Sequence, residues 1–248
     1  TSTSYRAHSY HTKVPPEAIR PFIRAFTQRG DTVLDPFCGS GMTGVAALAE
    51  GGNALLSDPA PAAGHIARTY HEPCDPVELG AAFSAVRAMD FPTVEWLYRP
   101  VGTATLVEYT TWSDCFECPA CGKHFVYWDA VHSTNGMDGD RVVCPKCGVG
   151  SRKAALKWVG EVPVRSHTSA GSNRIQTHAP TDAELALIAD ADSGPMPYWT
   201  PQTPFGSDRE MWRASHRAMG ITDISAFFTR RNLHALAALR HAIVTIST

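Results

Sequence analysis

The sequence of 248 residues lacks the features of membrane and secreted proteins. It has no run of about 18 apolar residues to span a bilayer, and its polar start from Thr1 to Arg6 has no apolar segment of the kind a secretory signal needs. A large charge of either sign is also missing, because the formal net charge is -2 at pH 7. Binding to an acidic partner would therefore depend on a local basic patch. We expect a cytoplasmic protein with an ordinary buried core.

The seven cysteines do not have the spacing of a disulfide-rich domain. Four of them form two Cys-x-x-Cys pairs, each followed by glycine, namely Cys118, Cys121, Cys144 and Cys147. Four thiolates at this spacing are typical of a structural zinc site, which is closed and leaves no position for a reacting water. Cys115 lies three residues before the first pair, so a shifted ligand set stays open, although we favour a spectator thiol.

The first part of the chain has the pattern of a βαβ unit. Apolar spacing and glycine breaks predict a helix over 15–29, a strand over 32–34, a helix over 42–50 and a strand over 53–57. Two more helices are predicted over 61–70 and 76–89, and a strand over 103–112. The sequence therefore predicts an α/β fold in the first part of the chain.

The later part of the chain is less regular. Stretches 166–181 and 192–204 are rich in turn-forming residues and predict loops, with a helix over 182–191 between them and a final helical segment over 223–246. We divide the chain into an α/β part at 1–112, a zinc-ribbon insertion at 113–165, and a loop-rich and helical segment at 166–248. Between Lys123 and Arg174, eight Lys or Arg stand against four Asp or Glu. This local excess suits phosphate contact, or is the solvated face of a structural insertion.

A glycine-rich loop follows the first predicted strand. Asp35 ends that strand, and Gly39, Gly41 and Gly44 come directly after it. Glycines there let the backbone approach a ligand closely, while the next helix directs its free N–H groups at the bound group. The spacing also fits a dinucleotide fingerprint, with Asp58 after the next strand to bind ribose hydroxyls, and it fits a simple tight turn.

The string Asp-Pro-Phe-Cys-Gly-Ser-Gly, from Asp35 to Gly41, resembles the cofactor motif of DNA methyltransferases that modify exocyclic amino groups. Upstream, the segment from Ser9 to Ile19 resembles the motif that packs beside the methionine end of S-adenosylmethionine in that family. The resemblance implies a Rossmann-like, three-layer methyltransferase fold with a mostly parallel sheet, here with a zinc-ribbon insertion. The resemblance also implies that Val14 lines the pocket. The cofactor residues it implies are Tyr10, His11, Thr12, Lys13, Asp35, Pro36, Phe37, Cys38, Gly39, Ser40, Gly41, Thr43, Asp58 and Pro59.

The catalytic motif of that family is missing from these 248 residues. Family members hold the flipped target base with an Asp/Asn/Ser-Pro-Pro-aromatic string, and neither the segment starting at Asp58 nor those around Tyr198 and Phe205 has this form. The catalytic residues are therefore unknown. In the family order the motif comes later in the chain, so we expect a missing C-terminal half or a second polypeptide to carry it. The segment from Trp212 to Arg240 resembles the helix before the catalytic half of large zinc-containing bacterial DNA methylases.

The sequence thus predicts the S-adenosylmethionine-binding portion of a DNA methyltransferase that acts on N6 of adenine or N4 of cytosine, in a restriction-modification setting. DNA is the expected partner, zinc the structural metal, and the chain alone is expected to be inactive. Two rivals remain open. One is a non-catalytic zinc-ribbon module with a vestigial cofactor fold that binds nucleic acid or protein, and the other is an RNA amino-group methyltransferase.

Overall fold

The computed structural model describes residues 3–133, 137–169 and 174–247. The chain divides into two compact units, Thr1–Leu79 and Gly80–Thr248. Among the described residues, no helix is long and apolar enough to cross a membrane. The three-part division expected from the sequence stays a prediction, and each unit is described by itself.

The first unit is built around a βαβ crossover. Its elements are α1 (Thr3–Arg6), α2 (Pro16–Phe26), β1 (Thr32–Asp35), α3 (Met42–Ala49), β2 (Asn53–Leu56), α4 (Pro61–His71) and the beginning of α5 (Pro76–Tyr98). Strands β1 and β2 are parallel, with Thr32 opposite Asn53 and Asp35 opposite Leu56. Each of these elements after α1 lies where the sequence pattern predicts it. Both strands end at the same edge, where the glycine-rich loop begins.

Helix α2 begins at the Pro-Pro pair because proline at the first turn has no N–H to leave unsatisfied. It buries Pro16 and Ile23 and packs against α3, whose small residues Ala46 and Ala47 are fully buried. The C-terminus of α3 is tied back to α2, since Glu50 forms ion pairs with Arg20 (2.6 Å) and Arg24 (2.8 Å).

The second unit is mainly antiparallel. Its elements after α5 are β3 (Leu106–Glu117), β4 (His124–Val126), α6 (Tyr127–His132), β5 (Met137–Asp138), β6 (Arg141–Val143), β7 (Gly150–Arg152), β8 (Lys157–Ser169), β9 (Gln176–His178), α7 (Asp182–Ser193), α8 (Ala214–Ala218) and α9 (Arg230–Ile246). The sheets have the orders β4-β3-β8-β9 and β5-β6-β7. The α/β class is confirmed, but β1 and β2 form the one parallel pair among the described residues, so the mostly parallel sheet expected from the sequence is not seen there.

Strands β3 and β8 form one long ladder that runs from the pair Leu106 and Ser169 to the pair Glu117 and Lys157. The chain between Glu117 and Lys157 folds into the cysteine module. Its core packs two phenylalanines and Leu156 around two of the cysteines, and Trp158 covers this core. This buried core is small, and modules with so small a core need a further source of stability, such as a bound metal ion.

Two sequence predictions about the second unit need correction. The stretch 166–181 is not all loop, because β8 continues to Ser169 and β9 occupies Gln176–His178; residues 170–173 lie outside the described part. Threonine and serine there serve as strand residues, and Thr168 is buried against the body of the unit. The final helix begins at Arg230 rather than at Asp223, since Asp223 accepts a hydrogen bond from the backbone of Ala226 and forms a turn.

Candidate functional site

The glycine-rich loop is held in a shape that other residues could not adopt without strain. Gly39 and Gly41 have φ angles of 50° and 77°. A Cβ on Gly39 would lie 2.9 Å from the ring of Tyr10, and one on Gly41 would lie 2.8 Å from the Cβ of Ala67. The loop therefore needs glycine for its backbone angles and for the closeness of its neighbours.

A cavity of about 160 Å³ lies between this loop and the segment that precedes α2. The residues that line it are Tyr10, His11, Thr12, Lys13, Val14, Ile19, Asp35, Phe37, Cys38, Gly39, Ser40, Met42 and Thr43. Two segments that were predicted separately from the sequence thus form the two walls of one cavity. Pro36, Gly41, Asp58 and Pro59 do not line it. Val14 was expected in the lining, whereas Ile19 and Met42 were not, although their place beside the selected residues was the available signal.

The upstream wall of the cavity is a tight turn. Among the described residues, Thr12 is the one non-glycine residue with a positive φ, at 55°, and its hydroxyl donates to the carbonyl of His11 at 2.7 Å. Strained backbone of this kind concentrates at ligand-binding sites. Lys13 Nζ donates to the carbonyls of Tyr5 (2.8 Å) and His8 (3.3 Å), and burial lowers the pKa of Lys13. The ammonium therefore stabilises the turn.

Two carboxylates brace the glycine loop. Asp58 Oδ2 accepts a hydrogen bond from the N–H of Gly39, and its Oδ1 accepts one from Ala60, each at 2.9 Å. Asp35 Oδ1 accepts from the N–H of Phe37 at 3.1 Å. Burial, then the charges of Asp35 and Asp58, raise the pKa of the Cys38 thiol. Cys38 is thus a neutral part of the loop rather than a nucleophile.

The four cysteines of the two Cys-x-x-Cys pairs converge in the second unit. Their sulfur atoms all lie within 4.8 Å of one another, with 3.7 Å between Cys118 and Cys147 and 4.0 Å between Cys121 and Cys144. Burial acts to raise the pKa of Cys118, but hydrogen bonds from the backbone of Ala120 and Cys121 outweigh it, and the pKa falls to about 7. The turn thus favours a thiolate, which is the form that binds metal.

Cys115 does not join this group of four thiols. Its register partner in β4 is Val126, and burial followed by the charges of Asp114 and Asp129 raises the pKa of its thiol. Cys115 therefore remains protonated near neutral pH. This geometry agrees with the spectator role that the sequence analysis favoured.

Comparison with known proteins matches the region that contains the cavity. A family model described as DNA methylase matches residues 1–67. The Type II methyltransferase M.XycI of Xanthomonas campestris pv. cyanopsidis is 56% identical over 39 residues, which cover 16% of this chain and 13% of that protein. No solved structure matches the chain. Residues 1–67, which contain the glycine loop and the whole lining of the cavity, are thus similar to the DNA methylase family.

Proposed function

We propose that this chain is the S-adenosylmethionine-binding portion of a DNA methyltransferase that modifies N6 of adenine or N4 of cytosine. The observation that carries the proposal is the cavity between the Tyr10–Val14 turn and the glycine loop. Both walls come from the stretch that matches the DNA methylase family. In this proposal the two units are parts of a Rossmann-like methyltransferase with a zinc ribbon.

The residues around the cavity fit the methionine end of the cofactor. A volume of about 160 Å³ suits part of a small molecule rather than a whole nucleoside cofactor. Asp35 offers a carboxylate to the cofactor's ammonium group. The Thr12 hydroxyl, which donates to the carbonyl of His11 here, would turn to donate to the cofactor's carboxylate. Gly39 lines the cavity, and a Cβ there would contact the ring of Tyr10, so glycine at this position keeps the two walls close together. S-adenosylmethionine, when bound, supplies a methyl group activated by a sulfonium.

Asp58 is proposed to bind the ribose hydroxyls, and its contacts are compatible with this role. Each of its oxygens accepts one backbone N–H, so each keeps a lone pair for a further donor. The same contacts hold Gly39 in place. Binding of the ribose by Asp58 would therefore also affect the position of the glycine loop.

The cysteine cluster fits a structural zinc ion. Tetrahedral zinc with Zn–S distances of about 2.3 Å places its sulfur ligands about 3.8 Å apart. The separations of 3.7 Å and 4.0 Å agree with that geometry. Cys118, Cys121, Cys144 and Cys147 would occupy all four positions, so the ion would stabilise the fold and would not activate water. Reduced thiols of this kind suit the cytoplasm.

The groups that hold the target base are proposed to come from another stretch of polypeptide, since the catalytic motif is absent from these residues. The parallel pair supports this proposal. Leu34 and Leu55 lie opposite each other on one face of it and are 64% and 61% exposed. Parallel strands are ordinarily buried on both faces, so this face is suited to further sheet or helix packing. DNA is the proposed substrate, and restriction-modification the proposed setting.

Calorimetric titration of S-adenosylmethionine into the zinc-loaded protein tests this proposal. We expect saturable binding, no binding of NAD, and at least a tenfold loss of affinity in Asp35→Asn, because the amide keeps the hydrogen bond from Phe37 but loses the charge. Asp31→Asn is the matched control, since Asp31 accepts a backbone N–H in a turn that does not line the cavity. Absence of binding by the folded wild-type protein would favour the vestigial module, and equal losses in both variants would remove Asp35 from the site.

A further inference from the structure

A second cavity, of about 510 Å³, lies wholly within the second unit. Strands β3 and β8 form one wall, and the chain from Ser215 to Thr229 forms the other. Its main side chains are Trp112, Trp158, Glu161, Met219, Phe227 and Phe228. The sequence analysis assigned no ligand to any of them. The volume lies in the range of small-molecule sites.

The walls of this cavity are flat, apolar and partly open to solvent. Met219, Phe227 and Phe228 are between 41% and 47% exposed. The ring of Phe227 is held edge-on by Phe205, with 5.0 Å between ring centroids, and the Trp158 indole N–H donates to Asp114 at 3.2 Å. These two contacts restrict the orientation of the Phe227 and Trp158 rings before any ligand arrives. Exposed apolar side chains around a concave site indicate a ligand.

Glu161 supplies the one carboxylate in this lining, and it has no hydrogen-bond or ion-pair partner in the described part of the chain. Its register partner is Asp114, which is already engaged by Lys153 at 3.0 Å and by Trp158. Burial, then the charge of Asp114, raise the pKa of Glu161. Glu161 is exposed and shares the lining with the aromatic rings, so its carboxylate can accept hydrogen bonds from the N–H donors of a ligand.

We propose that this cavity binds an unpaired nucleobase with an exocyclic amino group, stacked on the aromatic rings and donating its amino hydrogens to Glu161. The inference rests on the proposed function for its choice of nucleic acid as partner. Stacking on aromatic side chains accepts any base, whereas a carboxylate accepts hydrogen bonds from the exocyclic amino group of adenine, cytosine or guanine, and thymine has no such group. Arg217, next in sequence to His216 of the lining, is exposed and suited to a phosphate.

Short thymidine strands with one central cytosine, adenine, thymine or abasic site test the inference. Binding to the full chain is followed by tryptophan emission, because Trp112 and Trp158 line the cavity. We expect the strands with cytosine or adenine to bind about tenfold more tightly than the all-thymine strand, and the abasic strand to bind most weakly. In Glu161→Gln the ratio of affinities should fall toward one.

Glu210→Gln is the matched control, since it makes the same change of charge at an exposed residue that does not line the cavity. It should keep the full ratio. Phe228→Leu should weaken all base-containing strands while the ratio persists, because it removes a flat ring but not the carboxylate. An unchanged ratio of strand affinities in Glu161→Gln overturns the inference. Quenching of tryptophan emission by tetramethylammonium but not by the strands also overturns it, because that result would indicate an ammonium site.

Cofactor titration of the same samples separates this inference from the proposed function. The strand measurements need no S-adenosylmethionine, and the two cavities share no residue. Base discrimination without cofactor binding would leave the base site standing and remove the cofactor role. Cofactor binding with no discrimination among strands would support the cofactor role and remove the base site.

Discussion

Among single residues, the two glycines at positions 41 and 64 lie in opposite surroundings. Gly41 has a φ of 77°, and a Cβ there would lie 2.8 Å from Ala67. Gly64 lies inside α4, is exposed, and has open space where a Cβ would be. The same substitution should therefore have opposite effects on stability.

We predict that Gly41→Ala lowers the free energy of unfolding by about 2 kcal/mol, because alanine resists positive φ and meets a close neighbour. Gly64→Ala should raise it by about 0.5–1 kcal/mol, since alanine is the better helix former. Urea unfolding of the two variants beside the wild-type protein measures both. Equal destabilisation by both would show that the backbone angle at Gly41 is not what requires glycine.

Much of the cavity lining could be predicted from single residues, because the signal lies in short continuous segments of the sequence. Tyr10 to Lys13 and Asp35 to Thr43 are continuous strings in which residue type and order carry the signal. The hydrogen bond from Gly39 to Asp58 was not predictable, because it joins positions 19 residues apart through a loop conformation. A sequence shows that an acid follows the strand, but not which N–H group it accepts.

Among elements, the contact between α2 and α3 has a measurable dependence on pH. Hydrogen bonds from Arg24, then Arg20, lower the pKa of Glu50 to about 2 from an ordinary value of 4.5. Glu50 is 15% exposed, whereas the pair of Arg68 and Glu72 on α4 is well exposed on both sides. The first pair should therefore matter more for stability than the second.

We predict that Glu50→Gln destabilises the protein near pH 7 and that this difference fades in acid. A carboxylate with a depressed pKa stabilises the folded state fully above its unfolded pKa, and this contribution is lost as pH falls from about 4.5 toward about 2. Denaturant unfolding of wild type and variant across this range measures the change. Glu72→Gln should have little effect at any pH, and a Glu50→Gln difference that stays constant in acid would contradict the prediction.

Helices and strands of the first unit were predictable because each has a local signal, such as the Pro-Pro start of α2 or the glycine pair after α3. The second unit departs from prediction where pairing is long-range. Strand β9 has few apolar residues, and its pairing with Ser166, His167 and Thr168 of β8 is what makes it a strand. Tertiary contacts of this kind override local composition.

For the whole molecule, the cavity beside the glycine loop and the cysteine cluster belong to different units and share no residue. We predict that Cys118→Ser abolishes stoichiometric zinc binding and unfolds the cysteine module, because its small core depends on the metal. Metal content and the emission of Trp158 report the loss. The affinity for S-adenosylmethionine, measured by calorimetry, should change less than about twofold.

Cys115→Ser is the control for this prediction and should retain one zinc per chain, since its sulfur lies outside the cluster. Loss of zinc from Cys115→Ser with retention in Cys118→Ser would contradict the proposed ligand set. Loss of cofactor binding on zinc removal would show that the two sites are coupled energetically.

The α/β class and the convergence of four cysteines were predictable for the whole chain, whereas the sheet architecture was not. Local patterns predict a strand but leave its partners open, and the expected parallel sheet depends on pairings far apart in sequence. The described residues instead place the second half of the chain in antiparallel ladders.

The ladder between β3 and β8 also bears on how such a protein can change over evolution. The cysteine module leaves the sheet at Glu117 and returns at Lys157, which are paired directly across the two strands. The distance to be closed is thus one strand spacing, whatever lies between. A relative could have a two-residue turn or a larger inserted domain in place of the cysteine module. Every residue pair between β3 and β8 would then keep its register.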